Sequence, residues 1–481
     1  GYNVTNVNTT GYSRQRVVLA ADKGFSSKPG LIGTGVVAIE IQRIYDRFIF
    51  DQITLNEKLS GKWDGMSEAF LSIEGIFNES DGYGLNNSLN EFWSAWQDLS
   101  NNPEGQAERT NVFVKGESLC MSLRQIDSEV SQTRKDLNAK IQSLVVEINS
   151  ISSQIAQLNE KISFVQAAGE NPNDLLDQRE TLLRDLSNKL DVDYYVDGNG
   201  KLAVFVSDIG LPIVENITSF QLTLETNAEG VYDILFNDTV FTEKIAQGDG
   251  ELGGLLQVRD VYIPDYARKV HELAETIIFE LNALHSDGVG LDLCYGTITG
   301  TYRSSDGTLS GLDFGNQIDF SGSFSIWVRD DATGTMQQVT IDMSAFNGFS
   351  TLDDVANDPL NGINTKIADA GLGGIVTVSV VDNALSIQST GGYSMGFSGD
   401  SSNILAALGI NTFFTGHNAQ NIVINSYLSD HKEAIAAARI DDTGQFAVGD
   451  NSNALLIAGL QNQNLMSGQT ETIDQFYASL V

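Results

Sequence analysis

A chain of 481 residues with 41% apolar content can bury cores for about three domains of ordinary size. Its 28 Lys and Arg stand against 63 Asp and Glu, a net charge of −35, which excludes a basic phosphate-binding surface and so a nucleic-acid partner. Two distant cysteines and four histidines without ligand spacing exclude a disulfide framework and a zinc pattern, and no apolar run is long enough to span a membrane.

Gly1–Arg16 is dense in Asn, Thr and Gly, which favours turns. Arg16–Ala20 and Gly35–Ile41 read as strands, the second with Val37, Ile39 and Ile41 on one face, and Asp22–Gly33 between them reads as loop. A helical period follows from Arg43 to Phe77, through Ile44, Phe48, Ile53, Leu59, Met66, Phe70 and Ile76. Asn78–Leu85 is a polar break. Asn87 or Ser88 could cap a helix carrying Leu89, Phe92, Trp93, Trp96 and Leu99, and Asn101–Gly105 ends it.

The longest periodic run is Glu117–Val165. Its seam is Leu119, Leu123, Ile126, Val130, Leu137, Ile141, Leu144, Ile148, Ile151, Ile155, Leu158, Ile162 and Val165, at intervals mostly of three and four. No proline or internal glycine interrupts it between Gly116 and Gly169. About fifty helical residues make a rod of roughly 75 Å, so an elongated helical domain is expected. The heptad stutters between Leu137 and Ile141, with Lys140 in the slot an apolar residue would fill. That suits a helix meeting several neighbours of its own chain better than one supercoiled twin. Pro172 ends the rod, and Asn173 is expected to cap a returning helix with Leu175, Leu176, Leu182, Leu183, Leu186 and Leu190.

Tyr194–Val196, Leu202–Val206, Phe220–Leu224 and Tyr232–Phe236 read as strands, the first two joined by the turn Asp197-Gly198-Asn199-Gly200. That turn resembles part of a calcium loop but lacks the closing acid. Val258–His285 is helical again, with Pro264 and Asp265 placed in its first turn. From Leu281 to Lys432 there is no glutamate, while Asp and Gly persist, as in strands and turns. Phe324–Val328, Gln338–Ile341, Ile375–Val381 and Ala384–Gln388 are the strands expected there, with a hairpin at Val381–Ala384 and a short helix within Leu352–Ala370. Asn451 or Ser452 should cap Ala454–Leu465, and Thr470 or Thr472 a last helix with Ile473, Phe476, Tyr477 and Leu480.

The fold class is thus α+β and multidomain. A helical domain with a short N-terminal β element takes 1–190, 251–290 and 426–481, and two β-rich insertions take 191–250 and an outer 291–425. No nucleophile, base or metal set converges, so neither enzyme chemistry nor a cofactor is expected. Asp330–Asp331 and Asp353–Asp354 read as turn or cap residues, His285 as a satisfied structural histidine, and Trp93 with Trp96 as core.

The stretch NVTNVNTTGYSRQ (Asn3–Gln15) resembles the signature of bacterial flagellar axial proteins, and its GYSRQ end (Gly11–Gln15) is similar to the FlgK family of hook-associated proteins. FWSAWQDLSNNPEGQAER (Phe92–Arg109), NDLLDQRE (Asn173–Glu180), GELGGLLQVRD (Gly250–Asp260) leading into LNALHSDG (Leu281–Gly288), and DNSNALLIAGLQNQ (Asp450–Gln463) resemble that family in the same order. Thr10 stands where the family often has proline, so a tight fixed turn is not assured there. Leu291–Asn425 carries only the general style of an outward domain.

The resemblance implies a structural protein, exported through the flagellar type III channel without a cleaved signal. It would form the extracellular ring that joins hook to filament. The partners implied are further copies of the chain, hook protein, the second junction protein FlgL and an export chaperone. The chain reads as a fragment without the terminal coiled-coil helices that polymerise and bind the chaperone, and so as a monomer. Asn6, Asn8, Gly11 and Tyr12 are the expected assembly-interface residues, at the root where tube domains meet. Two other readings stay open: a hook or distal rod axial protein, which shares the first motif, and an added adhesin role for the outer domain.

Overall fold

The computed structural model describes residues 1–28, 30–77, 84–198 and 200–480. The chain opens with a helical turn, α1 (Tyr2–Thr5), and the strands β1 (Gln15–Ala21), β2 (Phe25–Ser27), β3 (Gly30–Ile32) and β4 (Val36–Arg43). Helices α2 (Arg47–Phe77), α3 (Leu85–Asn101), α4 (Gln106–Ala167) and α5 (Asn173–Lys189) follow. Strands β5 (Val192–Val196), β6 (Leu202–Val206), β7 (Leu211–Glu215), β8 (Thr218–Ser219), β9 (Thr223–Thr226), β10 (Tyr232–Phe236) and β11 (Thr239–Val240) precede α6 (Thr242–Gln247), α7 (Gly250–Gln257) and α8 (Ile263–Ser286). Beyond α8 come β12 (Cys294–Tyr295), β13 (Thr297–Thr299), β14 (Ser323–Asp330), β15 (Met336–Asp342), α9 (Leu352–Asn357), α10 (Ile363–Asp369), β16 (Val376–Val381), β17 (Ala384–Ser389) and β18 (Tyr393–Ser398). The chain closes on α11 (Ile404–Leu408), β19 (Phe414–Thr415), β20 (Val423–Ile424), α12 (Tyr427–Asp430), α13 (Ser452–Gly459) and α14 (Ile473–Ala478). This is a mixed α and β fold with one long helix and several small sheets, in line with the expected class.

Several boundaries differ from the sequence reading. The long helix is longer than the periodic run Glu117–Val165: it spans Gln106–Ala167, taking in the lead from Ala107, and Gly116 lies inside it. A Cβ at Gly116 would sit 3.0 Å from both Phe413 and Ile424, so this glycine marks a close approach and not a helix end. Asp22–Gly33 is not all loop. Phe25 pairs with Ile32 and Ser26 with Leu31, a short ladder that three-residue strands do not announce by periodicity. Gly84, not Asn87 or Ser88, is the N-cap of α3, and Pro172, not Asn173, that of α5. Asn451 precedes α13 without a side-chain cap, and the Asp450 carboxylate accepts from the Ser452 amide instead, at 3.0 Å. Thr472 does cap α14, closing a reciprocal box with Gln475. The Asn78–Leu85 break lies outside the described residues except for Gly84 and Leu85, and Asn199 of the β5–β6 turn also lies outside them.

Pro264 and Asp265 fall in the first turn of α8, as expected. That helix is not a fresh start, because α7 and one π-helical turn, Val258–Tyr262, run into it without a break. A proline ring clashes with the carbonyl four residues back, and the wider π turn relieves that clash.

The chain forms two compact units. The first is Gly1–Gly75 with Ser131–Asp265. Its buried stripe on α2 includes Phe50, Thr54, Lys58, Met66, Ala69 and Ile73, whereas Phe48 and Leu59 of the expected seam are exposed. The glycines explain the rotation. A Cβ at Gly61 would lie 1.8 Å from the Asn188 carbonyl, and one at Gly65 would lie 3.1 Å from Glu251. Backbones approach on that face, so it turns inward. Lys58 within the stripe is held by Asp191 at 2.9 Å and Asp193 at 3.2 Å. The β5-β6-β7-β8 and β11-β10-β9 sheets belong to this unit.

The second unit is Ile76–Val130 with Tyr266–Val481. Phe92, Trp93 and Trp96 of α3 gather with Phe413 and Phe414 at ring separations of 4.8–6.4 Å. Both tryptophans are buried core, as their spacing suggests. The sheets have orders β12-β18-β14-β15 and β13-β17-β16. The β16–β17 hairpin turns where expected, on Asp382 and Asn383 at φ +50° and +61°. Strand β18 escapes the sequence reading because its core, Ser394-Met395-Gly396-Phe397, is poor in β-branched residues.

Candidate assembly site

The N-terminal segment lies on the first turns of α5. Asn3 organises it. Its side-chain carbonyl accepts from the Tyr12 hydroxyl at 2.7 Å and the Gln15 amide at 3.0 Å, and its amide donates to the Gln15 carbonyl at 2.9 Å. Tyr2 packs edge-on against Tyr12 with centroids 5.8 Å apart. The Tyr2 hydroxyl donates to Asp174 at 2.8 Å, and that hydrogen bond raises its pKa. Gln15 donates to the other Asp174 oxygen at 3.0 Å, and the Ser13 amide donates to Asp177 at 2.9 Å.

The expected interface residues divide. Asn6 shapes the turn, donating to the Tyr2 carbonyl at 3.1 Å and accepting from Thr9 at 3.2 Å. Asn8 is exposed. Gly11 adopts φ +76°, and a Cβ there would meet Thr181 Oγ1 at 2.0 Å. Both facts require glycine. Asn6, Gly11 and Tyr12 also line a groove of about 580 Å³, whose far walls are Gln154, Gln157 and Lys161 of α4 and Gln178 of α5.

The residue the sequence reading missed is Arg43, at the end of β4. It donates to Asp177 at 2.8 Å and grips both oxygens of Glu180. These side chains are 10%, 8% and 18% exposed, so the triad is close to buried. Burial works against the Arg43 charge, but hydrogen bonds to Glu180 and Asp177 outweigh it and raise its pKa. Burial also pushes the Glu180 carboxyl up, against the pull of Arg43. Tyr45 covers the guanidinium, 4.5 Å from ring centre to Arg43 Cζ. One signal was available: Asp174, Asp177 and Glu180 recur at every third position of α5.

On the same helix Arg179 turns the other way. It donates to Asn159 at 2.9 Å and the Gly200 carbonyl at 2.8 Å, while Asn159 pairs with both backbone groups of Leu202. The NDLLDQRE stretch therefore clamps the N-terminal ribbon on one face and the β5–β6 hairpin on the other. Among the described residues, no group of three or more His, Cys, Asp or Glu is placed to hold a metal, and no helix is long and apolar enough to cross a membrane.

In the second unit His285 is fully buried. Its Nδ1 lies 2.7 Å from the Asn411 carbonyl, and its Nε2 accepts from the Ala436 amide at 3.0 Å. Burial pulls its pKa down to about 4, so it is neutral and structural. Asp354 closes a capping box with Thr351, and Asp330 accepts turn amides.

The family described as the flagellar hook-associated protein FlgK helical domain matches residues 70–301. Flagellar hook-associated protein 1 of Bacillus subtilis is 29% identical over 78% of this chain and 77% of its own length. The protein of the same name from Salmonella typhimurium is 27% identical over all of this chain and 83% of its own. The solved structure of the flagellar hook junction protein FlgK from Burkholderia pseudomallei superposes with a TM-score of 0.56 at 17% identity, over 89% of this chain and 94% of that one. At that identity the likeness is one of fold.

Proposed function

Because this chain is similar to the FlgK family of flagellar hook-associated proteins along most of its length, we propose that it is a structural, non-catalytic component of the bacterial flagellum that joins hook to filament. The observation that carries the reading is the clamp on α5, where Asp174, Asp177 and Glu180 hold Tyr2, Ser13, Gln15 and Arg43. A subunit that transmits torque needs the base of its exposed N-terminal ribbon fixed to a helix, and this one fixes it by charge-assisted hydrogen bonds. The proposed neighbours are further copies of the chain in a ring, hook protein and FlgL. Proposed too are delivery through the flagellar export channel, an export chaperone, and an outward position for 191–250 and 291–425. Asn6, Asn8, Gly11 and Tyr12 are the proposed assembly surface, with Asn8 free to contact a neighbour.

Deleting the gene should leave hooks without attached filaments, visible by electron microscopy, and normal filaments would overturn the proposal. Gly11→Val introduces a clash at Thr181 in a backbone conformation closed to it, at a cost of about 1–3 kcal/mol. It should cut swarming radius at least by half without loss of secretion, whereas unchanged swarming would remove Gly11 from the interface.

A further inference from the structure

We propose that a cleft between the middle of α4 and the β9–β11 sheet is a binding site for a carboxylate joined to a short apolar group. The cleft measures about 460 Å³ and lies within the first compact unit. Arg134 lines it, and the Arg134 Nε is buried without a hydrogen-bond partner. Among the described residues the rest of this guanidinium also meets no acceptor. In a chain with 63 acids for 28 bases, a cation left without an acid needs a cause.

Two of the four acids lining the cleft, Asp260 and Asp233, are already engaged. Arg259 takes both oxygens of Asp260, at 2.7 and 2.8 Å. Asp233 accepts from the Thr242 hydroxyl at 3.0 Å. Lys244, the second cation of the cleft, lies over the Phe241 ring at 5.5 Å and has no carboxylate partner among the described residues. Arg134 and Lys244 thus present charge to the same space.

A guanidinium offers parallel N–H donors that match the two oxygens of a carboxylate. A buried donor left unpaired is a defect that an incoming acceptor repairs. Phe241 and Val240 supply the apolar wall for the group beside the carboxylate. Glu229 and Glu243 stand exposed at the rim and repel a second negative charge. The ligand is therefore a monocarboxylate, either a free short-chain acid or the C-terminal carboxylate of a peptide.

The test is a titration of the 481-residue chain, following the Arg134 Nε–Hε resonance and the Phe241 and Thr242 amides. The probes are butyrate, acetyl-Ala-Val with a free carboxylate, and acetyl-Ala-Val amide. Both acids should give saturable shifts below 50 mM, and the amide none. A peptide acid binding ten-fold tighter than butyrate assigns the site to a chain terminus, and equal affinity assigns it to free acids. Arg134→Gln should abolish the amide shifts, and Lys244→Gln should weaken binding three- to ten-fold in a chain whose fold the exposed Lys244 does not support. An amide as effective as the acid, shifts that never saturate, or full binding by Lys244→Gln would overturn the proposal.

Discussion

The β1–β4 ribbon and the β14–β15–β18 sheet are both built on strands rich in apolar residues and end in opposite environments. Strand β4 reads Val-Val-Ala-Ile-Glu-Ile-Gln-Arg, and all of it except Arg43 is exposed. Strand β14 reads Ser-Phe-Ser-Ile-Trp-Val-Arg-Asp, and Phe324 to Val328 are buried without a break. The sheet coheres through apolar burial, with Trp327 packed among Val289, Leu293, Ala438 and Ile440. The ribbon coheres through backbone pairing from Gln15–Arg43 to Ala21–Val36 and through the polar pin at its base. Apolar strand residues therefore do not define a core by themselves. A ribbon that leaves Val17, Leu19, Val36, Ile39 and Ile41 in water offers those side chains to another surface.

The contrast can be broken from either side. The largest effect should come from Trp327→Ala, which empties a site 4% exposed and should cost about 3–5 kcal/mol. Denaturant unfolding followed in the second unit checks it, and a loss under 1 kcal/mol would mean that the sheet is not held by its core. Arg43→Met strands two nearly buried carboxylates and should cost about 3 kcal/mol. Its effect should be local, seen as faster hydrogen exchange of β1 and β4 amides while β14 amides keep their protection.

Acid should separate the two regions further. The folded pKa of His285 is about 4 against an ordinary 6.5, so between those values the unfolded chain binds a proton that the folded chain refuses. Stability from this group is full above pH 6.5, falls as pH drops towards 4, and loses about 3 kcal/mol over that window. A His285→Gln variant should flatten that limb of the pH–stability profile for the second unit, and an unchanged slope would locate the titration elsewhere. The smallest effect belongs to Ile39→Thr on the ribbon, which should shift stability by no more than about 0.5 kcal/mol. If it lowers filament attachment in motile cells while stability holds, the exposed face is a contact surface.

Much of the architecture was legible before any coordinates. The seam from Leu119 to Ile162 is buried at every apolar position named, because a three-and-four spacing puts those side chains on one face whatever covers it. The α5 return, the β16–β17 hairpin and the Trp93–Trp96 core were also readable from local pattern. The misreadings share a cause. On α2 the apolar residues suggested one inward face, and Gly61 and Gly65 selected another by letting backbones approach. The caps shifted because Gly84 and Pro172 take those positions with no side-chain hydrogen bond to advertise them.

The site divides in the same way. Sequence alone determined that Asn3–Gln15 is a turn-rich segment and that the chain resembles flagellar axial proteins, whereas the left-handed backbone of Gly11 came from the structure. The first two properties are local, set by residue type and spacing. Only the tertiary structure decided that Tyr2, Ser13, Gln15 and Arg43 meet Asp174, Asp177 and Glu180, across 134 to 172 positions of chain. A carboxylate on a helix reads as a solvated surface charge until something brings a donor to it. What brought Arg43 there was the β1–β4 pairing, a long-range event that no window of the sequence contains.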